Sequence, residues 1–408
     1  MVYSTGLDYW VVNRMVRSRS RKRWLWVSLV NNLALLGTFK YAGFLVDNLN
    51  WLLAKTPLPF QLATPDFLLP VGISFYTFQS MSYTIDFYRG NVHRERNFFR
   101  FAAFVSLFPQ LVAGPIERAK SLLPQLKDRP RVGAQDVSEG ASLFVVGLFK
   151  KVALADYLAL YVDPIYATPD RLAAPALMLG TFAFAWQIYF DFSGYTDMAR
   201  GIARAFGFRL MLNFRHPYLA TSLGDFWARW HISLSTWFRD YVYIPLGGNR
   251  HGRWRTYQNL LLTMMISGLW HGAAWTFIVW GAIHALATVA MREAEHSGWY
   301  RSKVPRIAKQ LLVFAIVWLA WVFFRAESVS DAWLILTRIA TSSWTDPEVP
   351  FMMLGLVLGV WAYQQICESP VRRILDWSVM RVALVVGMLL YLLTIPGSQG
   401  NAFIYFQF

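Results

Sequence analysis

Hydrophobic positions along this chain fall into long runs separated by short polar and basic segments. The runs occupy residues 24–46, 67–85, 99–112, 140–160, 173–190, 256–270, 273–291, 310–324, 350–366 and 382–395. Each reads as a helix at or near membrane-spanning length, since about 20 residues rising about 1.5 Å each cross roughly 30 Å of hydrocarbon. Several runs fall short of that. This predicts segments that tilt, stop part-way or re-enter, a course open only where protein or water satisfies the backbone. Lys40 interrupts one run and Lys150-Lys151 another. A charge at mid-bilayer costs about 2.5–3.5 kcal/mol. The lysine pair is therefore expected at an interface or facing a cavity, with snorkelling of the two stems as the favoured reading. Asp191, Ser193 and Asp197 are expected to form a polar turn between hydrophobic segments.

One segment has a different pattern. Residues 222–249 read SLGDFWARWHISLSTWFRDYVYIPLGGN. Ser222 with Asp225 three residues on predicts a helix start resembling a capping box. Phe226, Trp230, Leu234, Trp237 and Tyr241 then recur at helical spacing, predicting one aromatic face of a continuous amphipathic helix that ends at Pro245 and Gly247-Gly248. His231 falls off the main stripe, beside Trp227, Leu234 and Ser235. An interfacial anchor would use the same Trp and Tyr residues.

Composition agrees with the runs. Of 408 residues 56% are hydrophobic, including 19 Trp and 31 Phe, and only 15% are charged, against roughly 25% in soluble domains. The class implied is an all-α polytopic membrane protein. The net charge of +15 is concentrated in short loops at residues 14–23, 89–100, 118–131 and 250–255. That is the positive-inside pattern and places these loops in the cytoplasm. It argues against nucleic-acid binding, because no basic stretch belongs to a separate soluble domain. The single cysteine, Cys367, excludes an intrachain disulfide and reads as a packing residue. No long linker, low-complexity tract or repeat divides the chain, so one domain over residues 1–408 is expected. Residues 1–8 are polar and 9–16 too short for a signal core, so no cleavable signal is expected.

The chemistry centres on two histidines. His271 ends one apolar run and is followed at once by the next, in the string SGLWHGAAW at 267–275. An ionisable ring in membrane-grade sequence is a functional-site candidate unless a neighbouring helix carbonyl holds it. His231 is the second. A neutral imidazole takes a proton from a hydroxyl, and burial keeps the base form available at neutral pH. A hydroxyl activated in this way attacks a thioester or ester carbonyl, with Trp230, Trp270 and Arg239 near enough in sequence to bind an acyl carrier or sugar. Asp191 and Ser193 either line that path or cap a helix, and Arg239 with Asp240 reads more readily as a structural ion pair. His93, His251 and His296 read as solvated, and His216 and His284 as structural. No metal is expected, because two histidines without a nearby Cys or carboxylate cluster fall short of a usual ligand set. An O-acyltransferase, a channel or transporter lined by His271, Lys150 and Asp191, and a scaffold for partner proteins all remain open at this point.

Nine strings resemble the membrane-bound O-acyltransferase family, and most closely its bacterial, alginate-acetylating branch. They are GISFYTFQ at 72–79, FPQLVAGPI at 108–116, YFDFSGYTD at 189–197, FWARWHISL at 226–234, WFRDY at 237–241, IPLGGNR at 244–250, LWHG at 269–272, WVFFRA at 321–326 and FIYFQF at 403–408. The resemblance implies a ring of tilted and re-entrant helices around a central funnel. It makes His271 the match of the family's invariant catalytic histidine and His231 the match of the second. It further implies acetyl transfer from a cytoplasmic donor, acetyl-CoA or an acyl carrier, across the cell inner membrane. Periplasmic acetyltransferase partners would then place the group on an exported polysaccharide. No bound cofactor is implied, and membrane lipid is the surrounding partner. Relatives usually carry one or two more membrane segments before residues 14–23, so the chain is expected to lack them.

Overall fold

The computed structural model describes the chain apart from residues 58–59, 129, 346–348, 376, 395–402 and 405–408. The last residue of the 382–395 run and residues 405–408 of the FIYFQF string thus lie outside the described residues. The described residues form helices and turns, with no strand among them. In chain order the α-helices are α1 (Val2–Arg17), α2 (Arg21–Leu36), α3 (Ala42–Leu53), α4 (Ile73–Arg89), α5 (Phe98–Ser106), α6 (Ala119–Asp128), α7 (Ala134–Phe149), α8 (Asp156–Ala167) and α9 (Ala174–Ala205). They continue with α10 (Leu223–Arg229), α11 (Ile232–Phe238), α12 (Gly252–His271), α13 (Trp275–Ala294), α14 (Gly298–Lys303), α15 (Arg306–Arg325), α16 (Val329–Thr341), α17 (Phe351–Cys367) and α18 (Ser378–Thr394). Among the described residues, Arg21–Leu53, Trp275–Ala294 and Arg306–Arg325 are long and apolar enough to cross a membrane, and α17 and α18 are shorter apolar helices.

The chain divides into two compact units: Met1–Gly140 with Ile202–Met211, and Ala141–Gly201 with Leu212–Phe408. In the first, α2 runs through a π-type turn, Gly37–Tyr41, into α3. Its core gathers Val12, Leu36, Ile73, Tyr83, Phe101 and Phe104. A buried carboxylate, Asp8, lies within the same unit. Ser28 Oγ donates to it at 2.5 Å and Asn32 Nδ2 at 2.9 Å, and the Ser80 hydroxyl also donates to it. A buried polar side chain with that many partners is satisfied in place. The 67–85 run departs from expectation: its first residues are not helical, and α4 starts only after Gly72, whose left-handed φ of 73° suits glycine. The 99–112 run yields only α5, 9 residues long.

α9, which belongs to the second unit up to Gly201, is 32 residues long, nearly twice the apolar run that announced it. The polar turn expected at Asp191, Ser193 and Asp197 is absent; these residues lie inside the helix. Two glycines and two lysines explain this. A Cβ at Gly147 would collide with the Gly194 carbonyl and the Met198 amide, and one at Gly194 with the Gly147 carbonyl. The bare backbones of α7 and α9 can therefore approach closely. The π-type turn Lys150–Ala155 that follows α7 then presents both lysines to α9. Lys150 Nζ meets Asp197 Oδ2 at 2.6 Å, and Lys151 Nζ meets Asp191 Oδ1 at 2.7 Å and Asp156 Oδ1 at 2.8 Å. The snorkelling expected of this pair is thus replaced by buried ion pairing. Paired charges can remain within an apolar helix where isolated ones cannot.

Candidate active site

The segment from Ser222 folds differently from its periodicity. The start is as expected: Ser222 Oγ accepts from the Asp225 amide at 3.1 Å, while Asp225 Oδ2 accepts from the Thr221 amide at 3.2 Å. The continuous helix is not formed. α10 stops at Arg229, Trp230 is extended (φ −103°, ψ 127°), and His231 is left-handed (φ 42°, ψ 54°) before α11 begins. Left-handed geometry costs a residue with a Cβ roughly 1–2 kcal/mol, so other contacts must impose it. They come from residues 213–215. The Arg215 amide donates to the Arg229 carbonyl and the Ile232 amide to the Asn213 carbonyl, both at 3.0 Å. Long-range hydrogen bonds thus override the local spacing.

This break directs the His231 ring inward. It is fully buried, with Phe192 edge-on at 4.6 Å between centroids, Trp270 at 6.1 Å and His271 at 6.4 Å. His271 reaches the same place from another direction, as the last residue of α12. The residue is 4% exposed, and its ring packs against Trp270 at 5.0 Å, Trp280 at 5.1 Å and Phe324 at 5.4 Å between centroids. The two imidazoles thus lie in one aromatic-walled place, with Trp270 against both.

The α12–α13 hairpin holds His271 through small residues. A Cβ at Gly268 would overlap the Phe277 carbonyl, one at Gly281 the Met264 carbonyl, and one at Gly272 the Phe277 ring. Gly268→Val is therefore expected to lose about 1–3 kcal/mol through overpacking. A lower melting temperature of the detergent-solubilised protein would register it, and an unchanged one would contradict the close crossing.

The remaining expected site residues separate into two groups. Trp270 touches both histidines. Trp230 is 1% exposed, but its ring joins an aromatic cluster with Phe214 and Trp321, each at 5.1 Å, and Phe226 at 5.6 Å. The Asp191 carboxylate is taken by Lys151 and by the Ile404 amide at 2.9 Å; its neighbour Phe192 is the residue that reaches His231. Ser193 is buried on the same helix, without a hydrogen-bond partner for its Oγ among the described residues. Arg239 lies on a π-type turn, its side chain 60% exposed, and pairs with Asp240 at 2.8 Å, the ion pair expected from the sequence. The sequence reading missed Phe192, Trp280, Phe324 and Asn213. Phe324 lies within the WVFFRA string, which could have signalled it. Asn213 sits in a short stretch where Phe208, Leu210, Leu212 and Phe214 alternate with more polar residues, a pattern that carries no sign of a capping role. Among the described residues no group of three or more His, Cys, Asp or Glu is placed to hold a metal ion.

A sequence profile of the membrane-bound O-acyltransferase family matches residues 92–329, more than half of the chain and both histidines. The chain belongs to that family. It is a polytopic membrane protein and an O-acyltransferase, transferring an acyl group to a hydroxyl. It is 45% identical over 383 residues to the probable alginate O-acetylase AlgI of Azotobacter vinelandii, covering 90% of this chain and 76% of that protein. Against the probable alginate O-acetylase AlgI of Pseudomonas aeruginosa it is 42% identical over 385 residues, covering 90% and 73%. The peptidoglycan O-acetyltransferase of Helicobacter pylori is 37% identical over 366 residues, covering 82% and 68%.

The third buried histidine provides a contrast. His284 is fully buried between Trp280 at 4.8 Å, Trp227 at 5.0 Å and Phe226, stacked at 6.0 Å. Among the described residues neither of its ring nitrogens has a hydrogen-bond partner. Replacing an unpaired buried polar ring by an apolar one of similar shape is near neutral, so His284→Phe is expected to keep acyl transfer and yield of folded protein within about twofold of the parent. A tenfold loss of transfer at normal yield would assign this ring a part in the chemistry.

Proposed function

We propose that the chain transfers acetyl groups from a cytoplasmic thioester donor, acetyl-CoA or an acetylated carrier, across the cell inner membrane into O-acetylation of an exported, alginate-like polysaccharide, with periplasmic acetyltransferases as its partners. The observation that carries this reading is the meeting of His231, at the break between α10 and α11, and His271, at the end of α12, with ring centroids 6.4 Å apart. The names of the relatives supply acetyl as the group and a polysaccharide as the acceptor class.

In this reading His271 takes the proton of the acceptor hydroxyl as the oxygen attacks the thioester carbonyl. The carbon–oxygen bond forms, the negative charge moves to the carbonyl oxygen, and collapse breaks the carbon–sulfur bond. The departing thiolate recovers the proton from His271, leaving an ester and a thiol. His231 orients the hydroxyl or stabilises the oxyanion. Trp270, Trp280 and Phe324 exclude water that would otherwise hydrolyse the thioester.

The test follows a labelled acetyl group. Cells supplied with isotopic acetate, with the chain or without it, are analysed by mass spectrometry of the exported polymer. Label in ester linkage that depends on the chain supports the proposal; equal labelling without the chain overturns it. Membrane vesicles given acetyl-CoA or an acetylated carrier then identify the donor.

A further inference from the structure

His231 occupies the position where a helix normally carries its cap. The first amides of α11 have no partner inside the helix, and a Ser, Thr, Asp or Asn immediately before it would ordinarily accept from one of them. Here that position is a histidine whose side chain makes no capping bond. The capping is done by Asn213, from a segment far upstream. Its backbone carbonyl accepts from the Ile232 amide at 3.0 Å, and its side-chain Oδ1 accepts from the Ser233 amide at 3.2 Å. Its Nδ2 reaches the Thr196 hydroxyl at 3.5 Å, the outer limit for such a contact. Asn213 is fully buried. Thr196 lies one helical turn beyond Phe192 on α9, and the Phe192 ring is the edge-on neighbour of His231. One helix therefore supports both the ring of His231 and the residue that fixes its backbone.

We propose that Asn213 is the positioning residue of His231: by capping α11 in place of residue 231, it holds the left-handed turn and leaves the imidazole directed at His271. This rests on the proposed role of the two histidines in acyl transfer. His231 and His216 are the non-glycine residues with positive φ among those described, so the conformation at 231 is unusual in this fold. The Arg215–Arg229 backbone bond closes the other side of the turn. Removing the Asn213 side-chain acceptor takes that bond away from the Ser233 amide and releases the turn. The ring of His231 then leaves the position from which it meets the reacting hydroxyl, and misplacement of about 1 Å is enough to cost about 100-fold in rate.

The experiment reads the initial rate of polymer O-acetylation in cells expressing the full chain, normalised to chain present in the membrane. This readout does not require the donor to be known. Asn213→Leu is expected to lower the rate tenfold or more, on the scale of about 100-fold given above. Asn213→Asp, which keeps an oxygen facing Ser233, is expected to recover part of the loss. Adding Asn213→Leu to His231→Leu is expected to cost nothing further, because the two act through one ring. Where Asn213→Leu does not accumulate, Asn213→Ser, too short to reach the Ser233 amide, is read in its place. A parental rate in the Asn213 variant, an Asp variant no better than Leu, or losses that multiply in the double variant each overturn the assignment. A parental rate in His231→Leu overturns the reading of the active site itself, and is distinguished because it appears without any change at position 213.

Discussion

His271→Ala is expected to remove polymer acetylation while the chain still accumulates in the membrane. General-base removal of a hydroxyl proton contributes about 10²–10⁴-fold, and His271 is the imidazole that meets His231, at 6.4 Å. The rings of Trp270, Trp280 and Phe324 packed against it do not accept a proton. His271→Gln, which keeps more of the volume and a polar end, is expected to fail as completely, since an amide cannot take the proton either. The measurement is ester content of the polymer by mass spectrometry, with the chain's abundance in the membrane as the control. A scaffold would keep acetylation in both variants, and a channel would change ion or solute flux without regard to acyl donor. Retained acetylation at normal abundance would remove His271 from the chemistry.

Much of this site could be read before the fold was known, and the limits of that reading follow from distance along the chain. The 256–270 and 273–291 runs became α12 and α13, and His271 sits at the junction because a helix end is a local property. His231 was singled out by its neighbours, but the break that aims it was invisible. Phe226, Trp230, Leu234, Trp237 and Tyr241 keep helical spacing across a segment that is not one helix, because hydrogen bonds from residues 213–215 decide its backbone. Asp191 and Asp197 suggested a turn for the same reason. Alone, carboxylates do not belong in an apolar helix; their lysines lie 40 and 47 positions upstream, and no periodicity reports such a pairing.

The second large effect follows from that pairing. Lys151→Met is expected to destabilise the chain by about 3–5 kcal/mol, the cost of breaking a buried ion pair by removing one partner. Lys151 Nζ stands between Asp156 Oδ1 at 2.8 Å and Asp191 Oδ1 at 2.7 Å, with the three side chains only 9%, 5% and 3% exposed. Without the ammonium, two carboxylates are left facing each other in a low-dielectric interior. Either they bind a proton or the packing of the Lys150–Ala155 turn and α8 against α9 gives way. The expected result is a large fall in yield and melting temperature of the solubilised protein. Removing the charges together is a different operation, because an apolar or neutral replacement of a whole buried ionic group is often tolerated. Lys151→Met combined with Asp156→Asn and Asp191→Asn should therefore recover most of the lost stability, the side-chain amide oxygen introduced at position 191 still accepting from the Ile404 amide. If the single variant is as stable as the parent, the cluster is not what allows charges inside α9. If the triple variant is as unstable as the single, the fault lies in packing and not in charge. Acetylation measured on the rescued triple variant then separates structure from chemistry. Phe192 follows Asp191 directly and packs on His231, so a purely structural cluster returns transfer along with the fold, whereas a stable but inactive protein would place one of these charges in the reaction.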